Sequence, residues 1–171
     1  LAGTAPLEQG EILLKSTKDR SEHNFVITDI CENLKTISHD LKIHETRLHP
    51  YRNIVHLKTD IECQLNNAGN PLALTSLLSP TAALGGYPKS YALRFLSQTE
   101  YAKRHPQRYF GSAFGLHTHD TCFAIVMIRN IQWNSDVFSI ESGGGVVPES
   151  NLESEMKEIH LKRESIKGHY L

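Results

Sequence analysis

The stretch SGGGVVPESNLESEMKEIHLK, Ser142–Lys162, runs three consecutive glycines, Gly143, Gly144 and Gly145, straight into an acidic segment. Pro148, Glu149 and Ser150 read as the start of a helix, and Leu152, Met156, Ile159 and Ile166 recur at helical spacing, which predicts its apolar stripe. At about 100° per residue, Glu155, Glu158 and Lys162 fall within about 60° of one another, beside that stripe rather than opposite it, so they are expected to be only partly in water. Glu153, Lys157 and Glu164 take the solvated face. Two readings of Glu158 and Lys162 stay open: a surface i, i+4 pair, stabilising by roughly 0.2–0.5 kcal/mol, or part of a site. The glycines upstream favour a site, because residues without Cβ allow positive φ and let backbone N–H groups close on an anion. A carboxylated ligand and a divalent cation would suit such a corner.

Around this stretch lies a chain of 171 residues, one domain's worth and long enough to bury a core. With 39% hydrophobic and 22% charged residues, its composition is that of an ordinary globular protein. A net charge of -1 gives no footprint for nucleic acid or an anionic membrane. Cys31, Cys63 and Cys122 are odd in number and share no metal-type spacing, which argues against a disulfide framework and for a reducing cytoplasm. No apolar run approaches the ~18 residues of a membrane span, and no signal segment is present. The opening, Leu1-Ala2-Gly3-Thr4, has no initiator Met and reads as a chain entered in the middle of an element.

Ser16 and Asp19 make a partial capping box for a helix running to about Ile37, with Val26, Ile30, Leu34 and Ile37 as its stripe. Glu22 lies at the edge of that stripe, with Asp19 on the same side. The helix dipole alone would favour carboxylates in this first turn, so a structural reading stands beside a functional one. Lys42–Arg47 and Asn53–Leu65 have the character of strands, with His56 inside the second, where a core or surface role competes with catalysis. Pro71–Leu78 is a short helix, and a small-residue loop, Thr81–Lys89, leads to a second amphipathic helix over about Ser90–Lys103. Tyr109–Leu116, Cys122–Trp133 and Val137–Ser142 read as consecutive antiparallel strands. The turn His117-Thr118-His119-Asp120 joins the first two and is either a metal group or a solvated hairpin tip. Arg129 follows directly on the apolar run Phe123–Ile128, where an unpaired guanidinium is expensive, so a carboxylate partner or ligand is expected.

Taken together these residues resemble the C-terminal part of the chorismate-utilising enzymes, the group of anthranilate, aminodeoxychorismate, salicylate and isochorismate synthases. The matches run in the family's order: Leu1-Ala2-Gly3-Thr4, Lys18-Asp19-Arg20-Ser21-Glu22-His23, His56-Leu57-Lys58-Thr59, Pro80–Lys89, Phe110-Gly111, Ile128-Arg129, Ser142–Val146 and Glu155-x-x-Glu158-x-x-x-Lys162. The resemblance implies an α+β class: the C-terminal portion of the chorismate-binding (aminodeoxychorismate synthase-like) fold, antiparallel sheets flanked by helices around a cleft, with residues 1–171 forming a partial domain whose N-terminal half is absent. It implies that Glu22 and Glu158 bind Mg²⁺, with Asp19 and Glu155 in an outer shell. Arg129, Lys162 and the amides around Gly143 and Gly145 would hold the carboxylates of chorismate, with Gly3 and Thr4 at the ring, Ala83 and Ile128 also lining the substrate and His56 in the catalytic pocket. Hard carboxylate ligands on two helices suit Mg²⁺, which keeps waters and takes substrate oxygen directly.

Several positions depart from the family's pattern. Ser-Gly-Gly-Gly stands where Ala-Gly-Ala-Gly is usual, Ser79 replaces a common His, Met156 replaces a common aromatic, and extra residues between Glu100 and Phe110 leave either Arg104 or Gln107 to answer to a family arginine. The lysine that activates water and the glutamate that protonates the leaving hydroxyl lie upstream of the Leu-Ala-Gly-Thr motif, so the 171 residues alone are not expected to turn over chorismate; the missing N-terminal half is the expected partner. The reaction expected of the parent enzyme is isochorismate synthesis, for menaquinone or siderophore production. Ala2 stands where aminodeoxychorismate synthases carry a lysine nucleophile, Ala83 stands where salicylate synthases tend to carry Thr, and the Pro-x-Gly-Thr run of anthranilate synthases is missing. Salicylate or anthranilate synthesis, or a non-catalytic fragment acting as a binding or assembly module, are the alternatives.

Overall fold

In chain order the elements are β1 (Ala2–Pro6), α1 (Gly10–Lys15) after a single 3-10 turn, and α2 (Thr17–Lys35). Four strands follow, β2 (Ser38–Ile43), β3 (Arg47–Tyr51), β4 (Ile54–Lys58) and β5 (Ile61–Leu65), then four helices, α3 (Pro71–Leu78), α4 (Ala82–Gly85), α5 (Lys89–Ser97) and α6 (Glu100–Arg104). The chain closes with β6 (Ala113–His117), β7 (Cys122–Val126), β8 (Gln132–Trp133), β9 (Phe138–Ser139) and α7 (Leu152–Tyr170). The computed structural model describes residues 1–67, 70–104 and 109–170; Gln107 and the side chain of Arg104 lie outside the described residues. The class is mixed α+β, with every described strand pair antiparallel. The sheets are small: one of three strands, β1-β4-β3, and three pairs, β2-β5, β6-β7 and β8-β9. No helix among the described residues is long and apolar enough to cross a membrane.

Two compact units share the chain. The first comprises residues 1–24, 45–59 and 128–171. Its centre is β4, whose Ile54, Val55 and Leu57 are all buried because β1 and β3 pair on either side, at Leu57 with Ala2 and Leu48. Leu13 of α1 joins Val55 and Leu57 in the core, with Ala5, Leu14 and Leu48 packed against it. The register of β1 shifts between Ala2 and Ala5, where Gly3 takes a left-handed φ of 71° that a side chain would strain.

The second unit comprises residues 25–44 and 60–127. Val26 and Leu34 of the expected stripe are buried in it together with Cys31, which the stripe did not include, while Ile30 and Ile37 are half-buried. Asp29 is also buried, and its Oδ2 accepts the backbone N–H of Ala82 at 2.9 Å, at the start of α4. The hairpin β6–β7 is exposed at all ten of its residues, including Phe114, Leu116, Phe123 and Ile125. Phe114 pairs with Ile125 and Leu116 with Phe123, which puts these four on one face.

Boundaries differ from the sequence reading where a side chain intervenes. The extended run Asn53–Leu65 is two strands in two sheets, split after Lys58, where the Thr59 hydroxyl is taken by His23 and Thr46. The expected strand Lys42–Arg47 straddles the end of β2 and the start of β3. The helix expected over Ser90–Lys103 breaks at Thr99, whose hydroxyl accepts the N–H of Ala102 at 3.2 Å and so starts α6. The long strand Cys122–Trp133 ends at Val126, and Arg129 then adopts a left-handed φ of 57°.

Candidate functional site

The ionic cluster and its surroundings lie within the first unit. α2 begins as its cap predicts, with the N–H of Asp19 donating to Ser16 Oγ at 3.2 Å. That cap sets Lys18, Asp19 and Glu22 on the first two turns. α7 begins at Leu152, two to four residues beyond the expected entry at Pro148–Ser150, because Asn151 Oδ1 accepts the N–H groups of Glu153 and Ser154 at 3.1 and 3.2 Å.

The inner face of α7 differs from the apolar stripe expected of it. Leu152 is 79% and Met156 57% exposed, while Glu155 and Ser165 are buried along with Ile166. The side chains of Glu158 and Lys162 are only 12% and 16% exposed. The helix therefore turns a mainly charged and polar stripe inward, Glu155–Glu158–Lys162–Ser165, and burial of ions is tolerated only where they are paired. They are paired: Lys18 Nζ lies 2.6 Å from Glu155 Oε1, and Lys162 Nζ 2.6 Å from Glu158 Oε1. Lys18 also reaches Glu22 at 3.9 Å.

Burial pushes the Glu22 carboxyl above its ordinary pKa, and the charge of Glu158 pushes it further, against the partial relief of Lys18 and Lys162. Burial works against the charge of Lys18 as well, but its bond to Glu155 and the charges of Glu155, Asp19 and Glu158 more than offset that and hold the ammonium above its usual value.

Over these carboxylates passes the glycine loop. A Cβ on Gly145 would sit 2.6 Å from Glu22 Oε1, and one on Gly144 3.5 Å from Glu155 Oε2, whereas one on Gly143 meets nothing within 4 Å. The carbonyl of Gly143 accepts from Lys162 Nζ at 3.2 Å. None of the three has the left-handed φ that the sequence reading offered as their reason. Close approach to a carboxylate is the constraint, and it falls on Gly145.

His56 lies on β4 and faces the irregular part of β1. Its Nδ1 is 2.9 Å from the carbonyl oxygen of Gly3 and 3.2 Å from Thr4 Oγ1, and its Nε2 is 3.4 Å from Arg129 Nη2. A carbonyl can only accept and a guanidinium can only donate, so Nδ1 carries the proton and Nε2 the lone pair. Burial, helped by Arg129 and Lys162 and opposed by the bond to Gly3, lowers the His56 pKa and keeps the ring neutral. Arg129 Nη1 donates to Ser165 Oγ at 2.7 Å, and burial draws its pKa below the ordinary value. Neighbouring Glu22, His23 is buried, with Nε2 2.7 Å from Thr59 Oγ1 and its pKa lowered to about 4 by burial.

The structure thus brings Asp19, Glu22, Glu155, Glu158, Lys162, Gly143, Gly145, Gly3, Thr4, His56 and Arg129 into one compact unit. Gly3 and Asp19 are near neighbours, since a Cβ on Gly3 would lie 3.5 Å from Asp19 Oδ1. Ile128 precedes Arg129 and is 43% exposed, and Ala83 belongs to α4 in the second unit. The turn at His119 and Asp120 is solvated, the two side chains being 98% and 85% exposed. Lys18 and Ser165 had no role in the sequence reading. For Lys18 the signal was its place one turn before Glu22; Ser165 shows itself only once the inner stripe of α7 is known to be polar.

Among the described residues no three or more His, Cys, Asp or Glu side chains come close enough to cage a metal by themselves. Glu22 and Glu158, whose repulsion Lys18 and Lys162 only partly relieve, nevertheless fit a hard divalent ion of the kind that uses one or two carboxylates and completes its shell with water and ligand oxygen.

Residues 1–168 match the family described as chorismate binding enzyme. The chain is a member of that family. It is 31% identical over 153 residues to the isochorismate synthase MenF of Escherichia coli (strain K12), covering 90% of this chain and 35% of that protein. It is 41% identical over 92 residues to a salicylate biosynthesis isochorismate synthase of Pseudomonas aeruginosa, covering 53% and 19%. The solved structure of the menaquinone-specific isochorismate synthase of Escherichia coli superposes with a TM-score of 0.82 at 26% identity, over 97% of this chain and 40% of that one. This family member therefore spans well under half the length of the relatives it matches.

Proposed function

We propose that the chain is the chorismate-holding part of an isochorismate synthase, in which Glu22 and Glu158 hold Mg²⁺ with Asp19 and Glu155 behind them. The observation that carries this reading is the buried pairing of Lys18 with Glu155 and of Lys162 with Glu158 around a Glu22 carboxyl that is destabilised in its charged form. Mg²⁺ at this place would relieve the repulsion of the two carboxylates and take a carboxylate oxygen of the substrate. Arg129 and Lys162 then supply fixed positive charge to the dicarboxylate, and the backbone amides around Gly143 and Gly145 would hold it. His56, neutral and proton-bearing at Nδ1, orients Arg129 and offers no proton from Nε2. Ala2 gives no amine nucleophile, and Ala83 gives no hydroxyl, which favours water addition without pyruvate loss.

The resemblance puts the proton-transferring lysine and glutamate upstream of Leu1, and such groups contribute roughly 10²–10⁴-fold each. The 171 residues are therefore expected to bind chorismate with Mg²⁺ and not to convert it. The test is a pair of incubations with chorismate and Mg²⁺. A chain extended to the length of its relatives should accumulate isochorismate without pyruvate, and the 171-residue chain should give no product. Salicylate with equimolar pyruvate, or anthranilate on adding ammonia, would assign the alternative reactions; unaided conversion by the 171 residues would refute the division of labour. The exposed β6–β7 hairpin favours a second reading in which these residues act as a binding or assembly module.

A further inference from the structure

Arg129 combines three features that need a common explanation. Its backbone is left-handed, a conformation that is costly for a non-glycine residue and persists only where the surroundings hold it. Its side chain is half-buried. Yet the partners it shows are neutral acceptors: Ser165 Oγ at 2.7 Å and His56 Nε2 at 3.4 Å.

We propose that Ser165 is the positioning residue for Arg129, a neutral acceptor that fixes the guanidinium in place while leaving its charge available to an anion. The Ser165 hydroxyl is buried, and its own proton is committed to the carbonyl of Lys162 at 2.8 Å. Its lone pairs are thereby turned to Arg129, and it cannot rotate to donate elsewhere. Its backbone carbonyl is anchored in turn by Arg52 Nη1 at 3.1 Å. A carboxylate at position 165 would bind the guanidinium more strongly and would also neutralise it, lowering its attraction for an incoming carboxylate. The hydroxyl orients without neutralising. Because Ser165 lies one turn after Lys162 and bonds its carbonyl, the same contact ties the two cationic side chains of the site to one turn of α7. His56 holds the other guanidinium nitrogen at longer range and is the weaker partner.

That the anion is a chorismate carboxylate rests on the function proposed above, so the experiment has one arm that needs no ligand. In the purified protein labelled with ¹⁵N-arginine, the Arg129 side-chain signals, assigned with Arg129→Lys, should show hindered rotation and separate Nη resonances. Ser165→Ala should average them and Ser165→Thr should retain them. In the second arm, the Kd for chorismate at saturating Mg²⁺ should rise about 10-fold or more in Ser165→Ala, the scale of a hydrogen bond to a charged group. It should change less than about 2-fold in Ser165→Thr, and Ser165→Ala should add nothing in an Arg129→Ala background. Arg129 signals indifferent to Ser165→Ala overturn the proposal, as does a loss of affinity that is undiminished in the Arg129→Ala background. Averaged signals in a protein that binds no chorismate would uphold the positioning role and refute the proposed substrate.

Discussion

The paired helices of the first unit bury charge, and the β6–β7 hairpin of the second exposes hydrocarbon. Side chains of Lys18, Glu22, Glu155, Glu158 and Lys162 are each no more than 22% exposed, whereas Phe114, Leu116 and Phe123 are each more than 60% exposed. Folding alone rewards the opposite arrangement, by about 25 cal/mol per Å² of apolar surface removed from water and by several kcal/mol for each ion left in it. The difference teaches what each region is prepared to meet. Buried, mutually strained carboxylates and lysines suit small ions that restore their balance. An exposed apolar hairpin with open edges suits polypeptide, and a two-stranded ribbon is marginal in water by itself.

The largest effect expected on the ionic side is from Glu158→Ala. Changing an outer partner of a metal ligand typically costs about 10–100-fold in affinity, so removing a ligand should cost at least about 100-fold. Calorimetric titration of chorismate with and without Mg²⁺ checks this, and unchanged Mg²⁺-dependent affinity would remove the cation from the comparison.

Gly145→Ala comes next. Its methyl would lie 2.6 Å from Glu22 Oε1, the flexible end of a side chain, so the fold should persist while Glu22 is displaced, with chorismate affinity down about 10-fold. Gly143→Ala meets no atom within 4 Å and should match wild type in the same titration. Equal losses from both would mean that loop flexibility, not approach to Glu22, is what the glycines supply.

Acid–base behaviour sharpens the ionic side further. His23 titrates near pH 4 when folded and near 6.5 when unfolded, so the unfolded chain binds the extra proton between those values. Its contribution is complete above pH 6.5 and is lost as pH falls to about 4, on the order of 3 kcal/mol in total. Glu22 has the opposite sign. Its raised folded pKa means that the native state holds the proton more tightly, so stability falls as pH rises above 4.5 through that window. Urea melts across pH 4–8 should therefore find Glu22→Gln more stable than wild type at pH 7 without Mg²⁺, the advantage vanishing below pH 4.5. A Glu22→Gln protein less stable at pH 7 would show that this carboxylate is comfortable when charged.

The smallest effect on binding is expected from the hairpin. Replacing Phe114 and Phe123 by Asp should leave chorismate affinity within about 2-fold while lowering self-association seen by light scattering. A wild-type protein already monomeric at tens of micromolar, as judged by the same measurement, would show that the exposed face is not adhesive.

What could be read from sequence was what is decided locally. The cap at Ser16, the helix Pro71–Leu78 and the turn before Cys122 follow from a few neighbouring residues, and the structure has them. Glu22, Glu158 and Lys162 could be singled out because helical spacing sets them beside a stripe, although the inner stripe of α7 proved to be their own. Leu152 and Met156 misled because hydrophobic periodicity assumes that the buried face is apolar, an assumption that fails where a site is buried. The break at Thr59 was invisible because alternation says nothing about which partner a strand takes. Ser165 gave no signal at all, since its importance lies in an arginine 36 positions away.

The polar inner stripe of α7 also bears on how this protein could be improved or misjudged by selection. A library screened only for soluble yield would accept leucine or methionine at Glu155 and Lys18 together, because a packed apolar pair often equals or outlasts a buried ionic one. On the function proposed above, its winners would be abundant, heat-resistant and unable to hold chorismate. Yield and ligand retention must be scored on the same clones, for at this pair they are expected to rank residues in opposite orders.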